Sequence, residues 1–261
     1  MTSIKPERLA KEVEEIQNLI SDSPKLRSRI VDILEFYSDR TRRSQAAIRS
    51  KGGGRKFGVP FPVMKALERG LRQSIVKDSA DATEISEALW QVQYRETRLL
   101  AIALLDQSPL NLLLEKVEDW SQETKDYEVL RKMAETLVYQ WGREGYAGFG
   151  ETLSDWLESE TLTHKLIAIL SMYAAARDPG FEDIPQIFYL IRVHEVADYS
   201  QLHRGLHDLL RSLIHRSSSE AARFLFDVFE LNQRNGRKLV KELLPDFPSD
   251  DQLRLRQVLS A

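Results

Sequence analysis

Apolar residues recur along most of the chain with the spacing of an amphipathic helix. Segment 205–214 places one stripe of apolar side chains at Leu206, Leu209, Leu210, Leu213 and Ile214. Segment 127–141 repeats the pattern with Val129, Leu130, Met133, Leu137, Val138 and Trp141. Residues three and four positions apart share one face of a helix, so both segments predict helices with one buried side. No stretch shows the alternation that is typical of a β-strand.

Two segments are apolar on nearly every side, which indicates helices that are covered by other helices. They are LLAIALL at 99–105 and LIAILSMYAAA at 166–176. Start signals such as Asp81 and Ser249 divide the chain into about a dozen helices of roughly 9 to 20 residues. We predict one all-α domain over residues 1–261, a curved α-solenoid of HEAT-like antiparallel helix pairs. An irregular helical bundle is the alternative.

Composition limits the possible sites and compartments. The 261 residues carry a formal net charge of −3 and include no cysteine, which excludes disulfides and thiolate metal sites. No apolar run approaches the roughly 20 residues of a membrane span, and the N-terminus lacks the apolar centre of a signal peptide. We therefore expect a protein of a bacterial-type cytosol without a membrane partner.

A basic, glycine-rich loop at residues 40–58 stands out in this acidic chain. Seven basic residues and no acidic residue lie between Arg40 and Lys56, with three glycines at 52–54. Cations that repel one another favour an anionic partner, and glycines allow a close approach of the backbone. The loop therefore predicts a phosphate clamp. Its candidate phosphate-binding residues are Arg43, Arg49, Lys51, Arg55 and Lys56.

Further basic residues recur on successive predicted helices. The candidates are Arg95, Arg98, Arg131, Lys132, Lys165, Arg204, His207, Arg211, Arg237 and Lys238. If alternate helices line one face, these residues form a cationic groove on the concave side of the solenoid. Phosphate contacts are local and are screened within about 10 Å, so the local charge matters more than the total. The alternative is a set of solvated helix faces with pairs such as Arg204 and Asp208.

Sequence signatures of metal or cofactor chemistry are missing. The chain has no HExxH motif, no P-loop of the form GxxxxGK[ST] and no nucleophile motif. His203 and His207 are four residues apart, a spacing that could hold a metal, but Arg204 and Arg211 lie beside them. We predict no metal and no cofactor.

Three segments resemble the DNA alkylation repair family, AlkD-like DNA glycosylases built from HEAT-like helix pairs. They are FGVPFPVMKALERGL at 57–71, LWQVQYRETRLLAIALLD at 89–106 and RGLHDLLRSLIHRSSSEAARFLF at 204–226. The resemblance covers roughly residues 25 to 245. It implies a curved solenoid that holds double-stranded DNA in a concave cationic face and hydrolyses the glycosidic bond of N3- or N7-alkylated purines. A carboxylate beside the sugar would stabilise the oxocarbenium character of that transition state.

The residues that match the family's catalytic motif depart from it. The family's central helix reads Trp-Asp-x-x-Asp, and the matching residues are Tyr127, Glu128 and, in place of the catalytic aspartate, Arg131. The family's later tryptophan falls on Asp208, and its active-site arginine falls beside Lys165. A cation about 4 Å from a developing oxocarbenium costs on the order of 4 kcal/mol at an effective dielectric constant of about 20. The same cation favours a phosphate.

The sequence therefore predicts a monomeric DNA-binding member of the family, associated with the nucleoid, that lacks the catalytic aspartate. It would bind damaged, distorted or branched double-stranded DNA through the phosphate backbone, with Tyr127 and Asp208 in the DNA site. One alternative is an active DNA glycosylase in which Asp126 or Glu128 supplies the carboxylate after a shift in helix register. Another is a helical scaffold that binds a protein.

Overall fold

The computed structural model describes residues 4–38, 55–78, 81–193, 199–231 and 233–260. Most of the basic loop, including Arg43, Arg49 and Lys51, lies outside these residues. The described part of the chain contains fourteen α-helices and no β-strand. None of its helices is both long and apolar enough to cross a membrane.

The described helices follow one another with short connections. They are α1 (Pro6–Asn18), α2 (Ser23–Phe36), α3 (Phe61–Asp78), α4 (Ala82–Trp90), α5 (Arg95–Leu104), α6 (Leu110–Gln122), α7 (Tyr127–Arg143), α8 (Phe149–Glu158), α9 (Leu162–Arg177), α10 (Ile184–Val193), α11 (Tyr199–Arg216), α12 (Ser218–Leu231), α13 (Gln233–Leu243) and α14 (Ser249–Ser260). Short 3₁₀ turns follow α5 at Leu105–Gln107 and α13 at Leu244–Asp246. The chain divides into two compact units, Met1–Gln140 and Trp141–Ala261.

In the first unit, helices that are two apart in sequence pack together. α1 packs on α3, α2 on α4, and α3 on α5, while α4 also contacts α5. Gly70 allows α1 to approach α3, because a Cβ atom at this position would lie 2.5 Å from Val13 Cγ1. Asp81 caps α4 by accepting the backbone N–H of Thr83 at 2.8 Å, as its position before a helical segment predicts. The apolar segment 99–105 is buried throughout except at half-buried Leu99.

The second unit repeats this arrangement. α8 packs on α10, α9 on α11, α11 on α13, and α12 on α14. Gly205 on α11 faces α9, where a Cβ atom would lie 3.1 Å from Leu166 Cδ1 and 3.2 Å from Ile169 Cγ2. α9 is buried on most sides, as its apolar sequence predicts.

Packing between every second helix is typical of helical repeat proteins, in which each element contacts its neighbours in the array. The predicted all-α, helical-repeat fold class is thus confirmed. The single domain, the HEAT-like curvature and the concave cationic groove stay predictions.

Candidate nucleic-acid interface

The C-terminal end of the basic loop is attached to the start of α5. The backbone N–H of Arg95 donates to the carbonyl oxygen of Arg55 at 2.8 Å, within an isolated parallel β-bridge between Arg55 and Tyr94. Two residues on, the ring of buried Phe57 stacks on the ring of Tyr94 with centroids 4.1 Å apart. The backbone therefore leaves the basic loop along a defined path.

Glu96, in the first turn of α5, forms the main anchor of this path. Its buried carboxylate accepts the backbone N–H groups of Phe57 at 2.9 Å, Gly58 at 2.7 Å and Val59 at 3.4 Å. Gly58 has φ of +74°, a left-handed conformation that glycine adopts without a steric penalty. Hydrogen bonds to an ionised carboxylate are stronger than those between neutral groups. We call the contacts of Glu96 with residues 57–59 the Glu96 clamp. It places Arg55, whose side chain is exposed, and half-buried Lys56 beside the start of α5.

An ion pair connects the start of α5 with the start of α7. The Nε of Arg95 donates to Oδ2 of Asp126 at 2.7 Å, and the Asp126 side chain is only 3% exposed. The other oxygen, Oδ1, accepts the backbone N–H of Glu128 at 3.0 Å and so satisfies a free donor of the first turn of α7. Asp126, a weak catalytic candidate from the sequence, thus occupies a structural position.

Arg131 lies between two glutamates of its own helix. Its guanidinium is 3.1 Å from the carboxylate of Glu128 and 3.7 Å from that of Glu135, with the side chain 39% exposed. Exposed pairs of this kind contribute about 0.3 to 0.5 kcal/mol, so a phosphate can compete for the arginine. Tyr127, one turn earlier, is half-buried and shares the helix face of Arg131. Lys132 is also half-buried.

Arg98 lies in the core rather than on the surface. Its guanidinium carbon is 4.3 Å from the centroid of the Trp90 ring, and its Nη1 donates to the carbonyl oxygen of Glu123 at 3.2 Å. Burial lowers the pKa of Arg98 from its ordinary value, against the opposing effect of the Glu123 carboxylate. Arg98 therefore has a packing role here, although its sequence position next to Arg95 grouped it with the surface cations.

In the second unit, α11 carries several of the predicted residues. Arg204 is exposed, while His207 and Asp208 are half-buried. The Nε of Arg211 donates to Oδ2 of Asp246 at 2.8 Å, and this hydrogen bond raises the pKa of Arg211. Lys165, on neighbouring α9, is half-buried. These residues thus lie on two helices that pack together.

α13 adds Arg237 and Lys238 to this unit, both with exposed side chains. The Nζ of Lys238 lies 4.0 Å from the carboxylate of Glu242, which also lies 2.8 Å from the Nε2 of His203. The Glu242 side chain therefore contacts both Lys238 and His203. Within the part of the chain that the structure describes, no three His, Asp or Glu side chains are grouped so as to hold a metal.

The structure thus brings some predicted residues together within each unit. In the first unit, Arg55 contacts the start of α5, where Arg95 lies. Arg95 pairs with Asp126, which directly precedes Tyr127 in the chain. Sequence reasoning missed Glu96, because an acidic residue in the first turn of a helix is common and its amide partners lie 37 to 39 positions away.

Comparison with known proteins gives one match. A family model described as DNA alkylation repair enzyme matches residues 30–246, most of the chain. No curated protein and no solved structure matches significantly. The matched region includes the Glu96 clamp, α7 and the basic residues of α11 and α13.

Proposed function

The chain belongs to the family of DNA alkylation repair enzymes, and we propose that it binds double-stranded DNA without excising bases. Family membership supports a function related to DNA repair. The proposal goes further in naming duplex DNA, damaged, distorted or branched, as the ligand. It also holds that the phosphate backbone supplies most of the affinity, because no base-reading motif is evident in the sequence.

The Glu96 clamp is the observation that carries the DNA-binding proposal. It holds the end of an acid-free, basic segment beside the first turns of α5 and α7. Neither Arg55 nor Lys56 forms an ion pair with a carboxylate of the described residues. Unpaired cations on an anchored backbone suit a polyanion, since they lose little conformational freedom on binding.

The start of α7 supports the absence of glycosylase activity. Asp126 is buried against Arg95, and Glu128 is paired with Arg131. Arg131 itself stands where the family's catalytic aspartate is expected. A glycosylase needs an available carboxylate beside the sugar, where positive charge develops. Excision by this chain would require Asp126 or Glu128 to leave its present partner.

Other residues extend the proposed DNA surface within each unit. In the first unit they are Arg95, Tyr127, Arg131 and Lys132. In the second unit they are Lys165, Arg204, His207, Asp208, Arg211, Arg237 and Lys238. Each of these side chains is exposed or half-buried in the structure. We leave Arg98 out of the surface because its guanidinium packs on Trp90.

Salt-dependent DNA binding tests the proposal. We expect the double substitution Arg55→Ala and Lys56→Ala to weaken duplex binding and to reduce the log–log salt slope by about 0.9 for each lost phosphate contact. The control is Lys5→Ala with Lys11→Ala, which removes the same charge from two exposed positions at α1. Equal affinity and equal slope in the two double variants would contradict the proposal.

A further inference from the structure

α3 begins with an exposed aromatic residue. Phe61, its first residue, is 74% exposed, whereas Phe57, four residues earlier, is fully buried in the stack with Tyr94. Burial of a phenylalanine side chain stabilises a protein, and the folded chain gains little of that stabilisation at this position. A binding partner that covers the ring would gain it instead.

The backbone around Phe61 is restricted. Pro60 and Pro62 flank it, and each proline ring fixes its own φ angle. The backbone N–H of Val63 donates to the carbonyl oxygen of Pro60 at 3.0 Å, which closes the first turn of α3. The Glu96 clamp ends at Val59, two residues before the ring. Phe61 is therefore presented from an ordered backbone, which reduces the entropy that binding has to overcome.

Two cations continue the helix face that Phe61 begins. Lys65 and Arg69 follow at intervals of four residues, and both side chains are exposed. Across the described ranges, no carboxylate pairs with either of them. We call Phe61, Lys65 and Arg69 the α3 stripe. Each interval of four residues spans about 6 Å along the helix axis, close to two nucleotide steps along one DNA strand.

We infer that the α3 stripe binds double-stranded DNA at a base that has lost its stacking neighbour. This inference rests on the proposed function and adds the DNA structure that the site prefers. Phe61 packs its ring on the exposed face of the base, while Lys65 and Arg69 bind phosphates of the adjoining strand. Every base can stack on an aromatic ring, so the α3 stripe recognises an unstacked base rather than a particular base sequence.

Charge and position favour DNA over an apolar partner for this stripe. Two cations that lack carboxylate partners complement phosphates, and they lie one short connection and one to two helical turns after the basic segment that ends at Lys56. A side chain can stack on the face of a base only where the duplex is partly unstacked. Phe61 therefore contributes to the binding of a bulged duplex and contributes little to that of an intact one.

Binding of two probes by substituted full-length chains tests the inference. The probes are a short duplex with one unpaired adenine and the same duplex fully paired. We expect Phe61→Ala to weaken binding of the bulged duplex about 10-fold and that of the paired duplex less than about 2-fold. Phe61→Leu should resemble Phe61→Ala, because it keeps an apolar side chain and loses the ring. Tyr189→Ala, at a 65% exposed aromatic residue of α10, is the control and should bind like the unsubstituted chain.

A second pair of substitutions tests the contribution of Lys65 and Arg69 to the binding of both probes. Lys65→Gln together with Arg69→Gln should weaken both probes and reduce the salt slope by about 0.9 for each lost contact. If the unsubstituted chain binds DNA but Phe61→Ala binds the bulged duplex as tightly, the inference is wrong and the proposed function stands. If the unsubstituted chain binds neither probe, both are wrong. Equal melting temperatures of all variants are expected, since these side chains are exposed.

Discussion

Gly58 donates its backbone N–H to the carboxylate of Glu96 at 2.7 Å, and this bond belongs to a clamp that also holds Phe57 and Val59. The amide of Phe57 is buried, so removal of the carboxylate takes a charged acceptor away from a buried donor. Glu96→Ala should lower the free energy of unfolding by about 3 kcal/mol, because an unsatisfied buried group costs about 1 to 3 kcal/mol and charge-assisted bonds are lost with it. Urea unfolding measures the change.

The conservative variant Glu96→Gln keeps one acceptor oxygen and should lose less stability than Glu96→Ala. Both variants should also weaken duplex binding under conditions in which they remain folded, because Arg55 is no longer held beside α5. Glu144→Gln, at an exposed position, serves as the control for loss of one negative charge. Unchanged stability in Glu96→Ala would show that the clamp does not anchor the segment.

The pair of Arg95 with Asp126 should be structural. Removing one partner of a buried pair leaves an uncompensated charge, and the cost is about 3 kcal/mol or more. We expect this loss of unfolding free energy for Asp126→Ala, and a smaller loss for Asp126→Asn, which retains an acceptor for the N–H of Glu128. The double variant with Arg95→Ala should lose less than the sum of the two single variants. Additive losses would mean that the pair carries no coupling energy.

Arg131 should contribute to DNA affinity and little to stability. Its pairs with Glu128 and Glu135 are exposed, so Arg131→Ala should change the free energy of unfolding by less than about 1 kcal/mol. Loss of one phosphate contact should reduce the salt slope by about 0.9, and Arg131→Asp should weaken binding further through repulsion. Arg27→Ala, at an exposed position of α2, is the control. Wild-type DNA affinity in Arg131→Asp would remove Arg131 from the interface.

Tyr37 predicts a loss of stability at alkaline pH. Burial, followed by the effect of the nearby Glu12 carboxylate, raises the pKa of Tyr37 to about 12. Below about pH 10 the phenol is neutral in both the folded and unfolded chain, and its contribution is fully present. As the pH rises from about 10 to about 12, the unfolded chain ionises first and up to about 2 to 3 kcal/mol of stability is lost.

The measurement compares urea unfolding of the unsubstituted chain and Tyr37→Phe across this pH range. The phenylalanine variant should show a shallower loss, and Tyr139→Phe, at an exposed tyrosine, should follow the unsubstituted chain. Parallel pH curves for Tyr37→Phe and the unsubstituted chain would show that Tyr37 titrates normally.

The fold class could be predicted because apolar spacing is a local property of each helix. Segment 166–176, which is apolar on nearly every side, lies in the largely buried helix α9, and Asp81 caps a helix, as the sequence predicts. The site was less accessible to sequence reasoning, because its contacts join residues that are distant in the chain. Glu96 accepts amides that lie 37 to 39 positions away, and a pattern of charges does not reveal that preference.

Arg98 is a second residue whose environment the sequence did not reveal. Its sequence neighbours mark it as a surface cation, and only the positions of Trp90 and Glu123 reveal that it is buried. Phe61 lies on the exposed face of α3, away from the buried side chains of Val63, Leu67 and Leu71.

The central claim is that this chain binds DNA and does not excise alkylated bases. The most direct measurement incubates the protein with duplexes that contain N7-methylguanine or N3-methyladenine, and records both the bound fraction and the free base released. We expect salt-dependent binding of these duplexes and base release no faster than in the absence of protein. Clear enzymatic release of either base would contradict the claim, because the carboxylate of Asp126 or Glu128 would then have to leave its present arginine partner and act beside the sugar.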